Sequence, residues 1–109
     1  AAELTAETTS PQVSYASADP SAITLMSICN TGQDLMLVDV HVVPSGSGVG
    51  TQNMLIKELE LQAGDTYILY HGGEKLLLDG GDLIMISAVK AFPSANSVGI
   101  TIITSHVGI

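Results

Sequence analysis

Three histidines, eleven carboxylates and a single cysteine are the side chains with the most chemistry to offer in this sequence. His41, His71 and His106 stand far apart, with no close pair among them. A zinc site gathers three or four ligands, often with two of them a few residues apart, so no metal site is expected. Asp79-Gly80-Gly81-Asp82, with Glu74 nearby, has residue types that suit calcium. It lacks the alternating acids and distant Glu of a calcium-binding loop. Turn chemistry accounts for it instead, because Asp accepts local backbone hydrogen bonds and Gly supplies positive φ.

Gly46-Ser47-Gly48 sits in a Gly/Ser stretch that opens no helical pattern and carries no Lys in phosphate-loop position. It is read as neither a nucleophile elbow nor a phosphate cradle. Cys29 lies in the apolar run Met26-Ser27-Ile28-Cys29 and reads as a small buried hydrophobe. As the only cysteine, it leaves no internal disulfide to form. No cofactor is expected, and the chain is expected to bind rather than to catalyse.

The elements that would position such a binding surface follow from composition and metre. At 109 residues the chain is long enough for one core. Only 13% of its residues are charged and 46% are hydrophobic, against about 25% charged in an ordinary soluble domain. Too few charges exist to cover the surface, so apolar surface is expected to meet another chain. The net charge is -8, with Lys57, Lys75 and Lys90 as the only cations. Nucleic-acid binding needs clustered Lys and Arg, and anionic membranes repel an acidic surface; neither partner is expected. No stretch reaches the ~20 apolar residues of a membrane-spanning helix, and the N-terminal residues do not read as a signal peptide.

Short apolar runs separated by turn signals predict strands at 23–29, 35–43, 54–61, 66–71, 76–78, 83–89 and 98–107. Ala63-Gly64-Asp65-Thr66 and Asp79-Gly80-Gly81-Asp82-Leu83 each place a Gly-Asp turn before such a run. The pattern predicts an all-β, antiparallel β-sandwich of jelly-roll-like type. Alternation puts Met36, Val38, Val40 and Val42 on one face, with Leu35, Leu37, Asp39, His41 and Val43 on the other. Likewise Val98, Ile100 and Ile102 oppose Ile103 and Val107. Semi-apolar faces on both sides of a strand imply cover on both sides, and another subunit is the expected second cover.

Residues 1–21 are rich in Thr, Ser, Ala and Glu, with Pro11 and Pro20. They read as an extended N-terminal arm, with the sandwich domain at 22–109. Pro11, Val13 and Tyr15 are its expected partner-binding residues. Tyr67 and Tyr70 are expected to face opposite ways on their strand, and no Trp is present. That leaves little for a free-standing carbohydrate-binding sandwich, which needs stacking platforms.

From Ile23 onward the chain resembles small β-sandwich structural proteins of tailed bacteriophages. The resemblance rests on Ser27-Ile28-Cys29-Asn30-Thr31, Val42-Val43-Pro44-Ser45-Gly46, Ile56-Lys57-Glu58-Leu59-Glu60-Leu61, Ala63-Gly64-Asp65-Thr66 and Leu78-Asp79-Gly80-Gly81-Asp82-Leu83-Ile84. These are turn motifs and the strands beside them. The resemblance implies a virion structural protein made in the host bacterial cytoplasm. The favoured role is a capsid cement (decoration) protein on the outer surface of the head, binding the major capsid protein as a homotrimer. The alternative is a tail, baseplate or fibre-associated protein.

Overall fold

The computed structural model describes residues 2–69 and 76–108. Among them are nine strands: β1 (Ala2–Leu4), β2 (Thr8–Ala16), β3 (Ser21–Asn30), β4 (Met36–Val43), β5 (Met54–Leu61), β6 (Thr66–Leu69), β7 (Leu76–Leu78), β8 (Leu83–Lys90) and β9 (Ile100–Gly108). A 3-10 turn at Thr51–Asn53 is the only helical element among the described residues. The strands form two antiparallel sheets packed as a β-sandwich. The first sheet runs β1-β9-β3-β6, with β7 beside β6 on the same edge of β3. The second runs β2-β8-β4-β5. The chain crosses between sheets after β1, β2, β3, β5, β7 and β8, which is the connectivity of a jelly roll.

All seven expected runs contain strands, though β4 leaves out Leu35 and β9 begins at Ile100, two residues after the expected start at Val98. The run at 54–61 coincides with β5 and that at 76–78 with β7. In the run at 66–71, Tyr70 and His71 lie outside the described residues, as do the expected opposition of Tyr67 and Tyr70, and Glu74.

The core follows the alternation. Ile23, Met26, Ile28, Ile100 and Ile102 of the first sheet meet Met36, Val38, Val40, Leu61, Ile84, Ile86 and Ala88 of the second, all buried. Two turns of the same design carry the chain between these layers. In Gln62-Ala63-Gly64-Asp65, Gly64 takes φ 85° and the Gln62 amide donates to the Asp65 carboxylate at 3.2 Å. In Asp79-Gly80-Gly81-Asp82, Gly81 takes φ 91° and the Asp79 amide donates to the Asp82 carboxylate at 2.9 Å. A left-handed residue followed by an Asp that accepts back across the turn is what Gly-Asp encodes here.

Asn30 locks the first of these turns to the neighbouring loop. It is fully buried. Its amide donates to the carbonyls of Asp34 at 2.7 Å and Leu61 at 2.9 Å, and its oxygen accepts from the Gly32 amide at 3.0 Å. Its backbone pairs with Gly64 and Asp65. A buried amide with this many partners is stabilising, since each group lost would leave another unpaired.

The N-terminal region corrects the expectation of an arm apart from the domain. β1 pairs with β9 and places Ala2 and Leu4 against the core. β2 pairs along β8 and forms the edge of the second sheet. The boundary expected at residue 21 therefore falls at the start of β3. An edge strand has one free edge and a face toward water, so a Ser/Thr-rich sequence with few large apolar residues satisfies it. Pro11, which has no amide hydrogen to give, sits in an irregular stretch of that edge between Thr8 and Gln12.

Candidate partner-binding surfaces

Val13 and Tyr15, two of the residues singled out for partner binding, do not share a face. β2 opposes Val13 to Met85 and Tyr15 to Ile84. Two steps on one strand thus match a single step on the other. This bulge turns Val13 and Tyr15 to opposite faces, although strict alternation would put them on the same one. Val13 points outward and is 49% exposed. Tyr15 points inward, packs against the core and lies 5.1 Å from the His106 ring, centroid to centroid. Pro11 is half-buried. Of the three, only Val13 presents a substantial apolar surface to a partner.

Tyr15 and His106 border an open pocket of about 270 Å3, together with Asp19, Pro20 and Ser21. Serine, histidine and aspartate near one another invite an acyl-transfer reading, so the hydrogen bonds matter. The buried Ser17 hydroxyl donates to the Asp19 backbone carbonyl at 2.6 Å and lies 3.0 Å from the Ser21 hydroxyl. Tyr15 Oη reaches Ser21 Oγ at 3.5 Å. His106 packs against Tyr15 and forms no hydrogen bond to Ser21 or Asp19. The serines therefore tie the chain between β2 and β3, where Ser17 also accepts from the Gly81 amide. A base would have to reach the nucleophile for catalysis. A second open pocket of about 320 Å3 lies among Val42, Pro44, Met54, Leu55 and Leu76 and is mainly apolar. Among the described residues no three His, Cys, Asp or Glu side chains converge as a metal site, and no helix is long and apolar enough to cross a membrane.

The broad surfaces are the outer faces of the two sheets. On the second sheet, one cross-strand row runs Val13, Met85, His41, Met54. His41 is only 6% exposed between its methionine neighbours, and its Nδ1 is buried without a partner. Asp39, on the same face, uses its carboxylate to accept the Glu58 amide at 2.7 Å. Glu58 has φ 53° at a bulge in β5, where Val38 pairs with Leu59 but Val40 pairs with Ile56. The only carboxylate in β4 is thus engaged within the fold.

On the first sheet, the row Ile68, Ser27, Ile103 and the row Leu77, Ala22, Val107 cross β3. Ile68 and Ile103 are 47% and 48% exposed; Leu77 and Val107 are 66% and 50% exposed. β3, β6, β7 and β9 contain no Asp, Glu, Lys or Arg, and Glu3 of β1 is the only charged residue in the sheet's strands. The alternation of the last run exposed Ile103 and Val107 to sequence reading. Ile68 and Leu77 were not identified there, and their signal is the register that sets them beside the small residues Ser27 and Ala22. Phe92, in the β8–β9 connection, is the most exposed large hydrophobic residue among those described.

The chain matches no protein-family model, no curated protein sequence and no solved structure.

Proposed function

We propose that this protein is a structural component of a bacteriophage virion, a cement protein that binds the outside of the head and bridges neighbouring major capsid subunits. The observation that carries the reading is the broad outer face of the first sheet, whose strands carry a single charged residue, Glu3, on a chain of net charge -8. The turn motifs shared with small phage sandwich proteins point the same way. Such a surface suits area-driven association with another folded protein, and the serine hydrogen bonds beside Tyr15 and His106 leave that pocket without an activated nucleophile.

The mechanism is mechanical. A molecule that binds only the assembled arrangement of capsid subunits stabilises that arrangement by linkage. Each junction it spans adds contacts that must break before the subunits part. The N-terminal segment enters this mechanism as strands of the sandwich, so the binding surface is presented on a rigid scaffold.

Two measurements test the reading. Purified protein added to mature heads that lack it is expected to co-sediment with them, and antibody on intact virions is expected to label the head in the electron microscope. Label confined to the tail would replace this role with a tail or fibre one. Virions without label would sink the virion reading altogether.

A further inference from the structure

We infer that His41, Met54 and Met85 form a binding site for a soft monovalent metal ion, of which cuprous copper is the biological one. Register brings the three together. β4 lies between β8 and β5, and His41 is opposed by Met85 on one side and by Met54 on the other. A bulge in β5 makes the second pairing. Ile56 pairs with Val40 and Met54 with His41, so two steps on β5 match one on β4 and Met54 turns to the histidine's face. Directly opposed side chains on neighbouring strands start about 5 Å apart at Cβ. Methionine turns about three bonds and carries its thioether near the far end, so both sulfurs can reach the imidazole between them. Met54 also borders the second open pocket, which leaves its side chain room to turn. Of the four methionines in the chain, Met26 and Met36 fill the core, and the other two both stand opposite this one histidine.

The histidine itself points to a ligand. His41 is 6% exposed, and its Nδ1 is buried without a hydrogen-bond partner among the described residues. A buried imidazole nitrogen ordinarily has one. Asp39, two residues away on the same face, has its carboxylate turned to the Glu58 amide. A metal ion held at Nδ1, with the ring's proton on Nε2, satisfies the orphaned atom.

The donor set chooses the metal. Thioethers are soft donors that select Cu(I), and imidazole suits copper as well. Zinc takes thiolate, imidazole and carboxylate, and calcium takes oxygen; this row offers neither set. All three ligands are neutral, so a single positive charge costs less to hold here than a double one. Val43, 3% exposed, continues the face beside His41. Apolar surroundings of this kind restrict water at the ion. Histidine spacing in the sequence gives no hint of such a site, because two of its three ligands are thioethers that only the register brings in. The site does not rest on the virion reading.

Titration of the full chain with cuprous ion, supplied without oxygen from its coloured bicinchoninate complex, tests it. Cys29, on the first sheet, is the other soft ligand, so the titration uses Cys29→Ala, or Cys29→Ser if that variant does not fold. This chain is expected to take a single copper ion and to melt at a higher temperature when it is bound. Met54→Leu combined with Met85→Leu keeps side-chain volume. It is expected to weaken binding by at least the ~100-fold that loss of a supporting group costs a metal site. Circular dichroism checks that the double variant is folded, and each single leucine variant serves if it is not. Zinc at the same concentration is expected to leave the melting temperature unchanged. A Cys29-free chain that takes no copper and melts unchanged overturns the proposal. Copper held equally by the leucine variants overturns the assignment to this row, and zinc held as tightly as copper overturns the choice of a soft ion.

Discussion

On the first sheet Ile68 and Ile103 stand half-exposed on either side of Ser27, whereas on the second sheet His41 and Val43 are buried among Met54, Met85 and Leu83. The strands of the first sheet carry one charged residue, Glu3, whereas β5 alone brings Lys57, Glu58 and Glu60 to the second. The two also differ in where the bulk sits. The central strand of the first sheet places small residues between large ones, so the flanking side chains rise above the surface. The central strands of the second place large residues side by side, and each covers its neighbour. Apolar area left standing is available to a partner; apolar area already covered by the chain's own side chains stabilises the monomer.

Truncation gives the largest expected effect, and it separates the two sheets at their edges. Removing residues 1–7 takes β1 from the first sheet, a three-residue strand. Removing residues 1–18 also takes β2 from the second sheet, with its ladder to β8 and the buried Ser17 contacts to Gly81 and Asp82. The shorter truncation is expected to fold with a lowered Tm. The longer one is expected to lose cooperative unfolding, since it bares an edge of β8 and opens the core beside Tyr15. Similar thermal transitions for the two would mean that β2 contributes nothing to the second sheet.

Asn30 comes next, because it joins the crossing between the sheets rather than either face. Asn30→Ala leaves the Gly32 amide and the Leu61 and Asp34 carbonyls without their side-chain partner. With ~1 to 3 kcal/mol for an unsatisfied buried group, and some relaxation, a loss of about 3 kcal/mol is expected. Urea unfolding should show a lower midpoint with an unchanged slope. A shift of a few tenths of a kcal/mol would show that water replaces the amide at little cost.

A matched pair of substitutions then compares the faces directly. Val43→Thr puts a hydroxyl at a position that is buried on the second sheet, with an expected cost of about 1 to 2 kcal/mol. Ile103→Thr changes a side chain that already meets water, and its expected effect on folding is within about 0.5 kcal/mol. Equal losses would show that the two faces are covered alike and would remove the distinction drawn between them.

Much of this architecture is legible in the sequence, for reasons that particular residues illustrate. β5 and β7 are bounded by turn residues, and the Gly-Asp turns at Gly64 and Gly81 need the left-handed conformation that Gly supplies. Ile100 and Ile102 against Ile103 and Val107 gave the inward and outward sides of β9 by alternation alone. β2 was missed because Thr8–Ala16 carries the composition of a linker, and its partner β8 is remote in sequence. The opposite directions of Val13 and Tyr15 were missed because a bulge breaks the period of two. The outward stance of Ile68 was missed for a related reason. It depends on Ser27 beside it, and register across strands is not written in any one of them.

The smallest expected effect lies at the loops that carry the chain between the sheets. Asp34, before β4, accepts from the Ser94 hydroxyl at 2.5 Å and the Asn96 amide at 3.2 Å, and Lys90 Nζ lies 3.9 Å away. The Ser94 bond, then the Asn96 bond, and lastly the Lys90 charge hold its carboxyl below the ordinary value of 3.8. A group more acidic when folded than when unfolded favours folding in its ionised form. Its contribution is therefore full above the ordinary aspartate range and is lost as pH falls through the lowered folded value. Asp34→Asn is expected to be slightly less stable than wild type at neutral pH, with the difference closing on acidification below pH ~4. Thermal unfolding followed across that range reads the gap. A gap that stays constant from neutral to acid pH would show that the Asp34 charge does not stabilise these crossings, leaving the neutral hydrogen bonds to hold them.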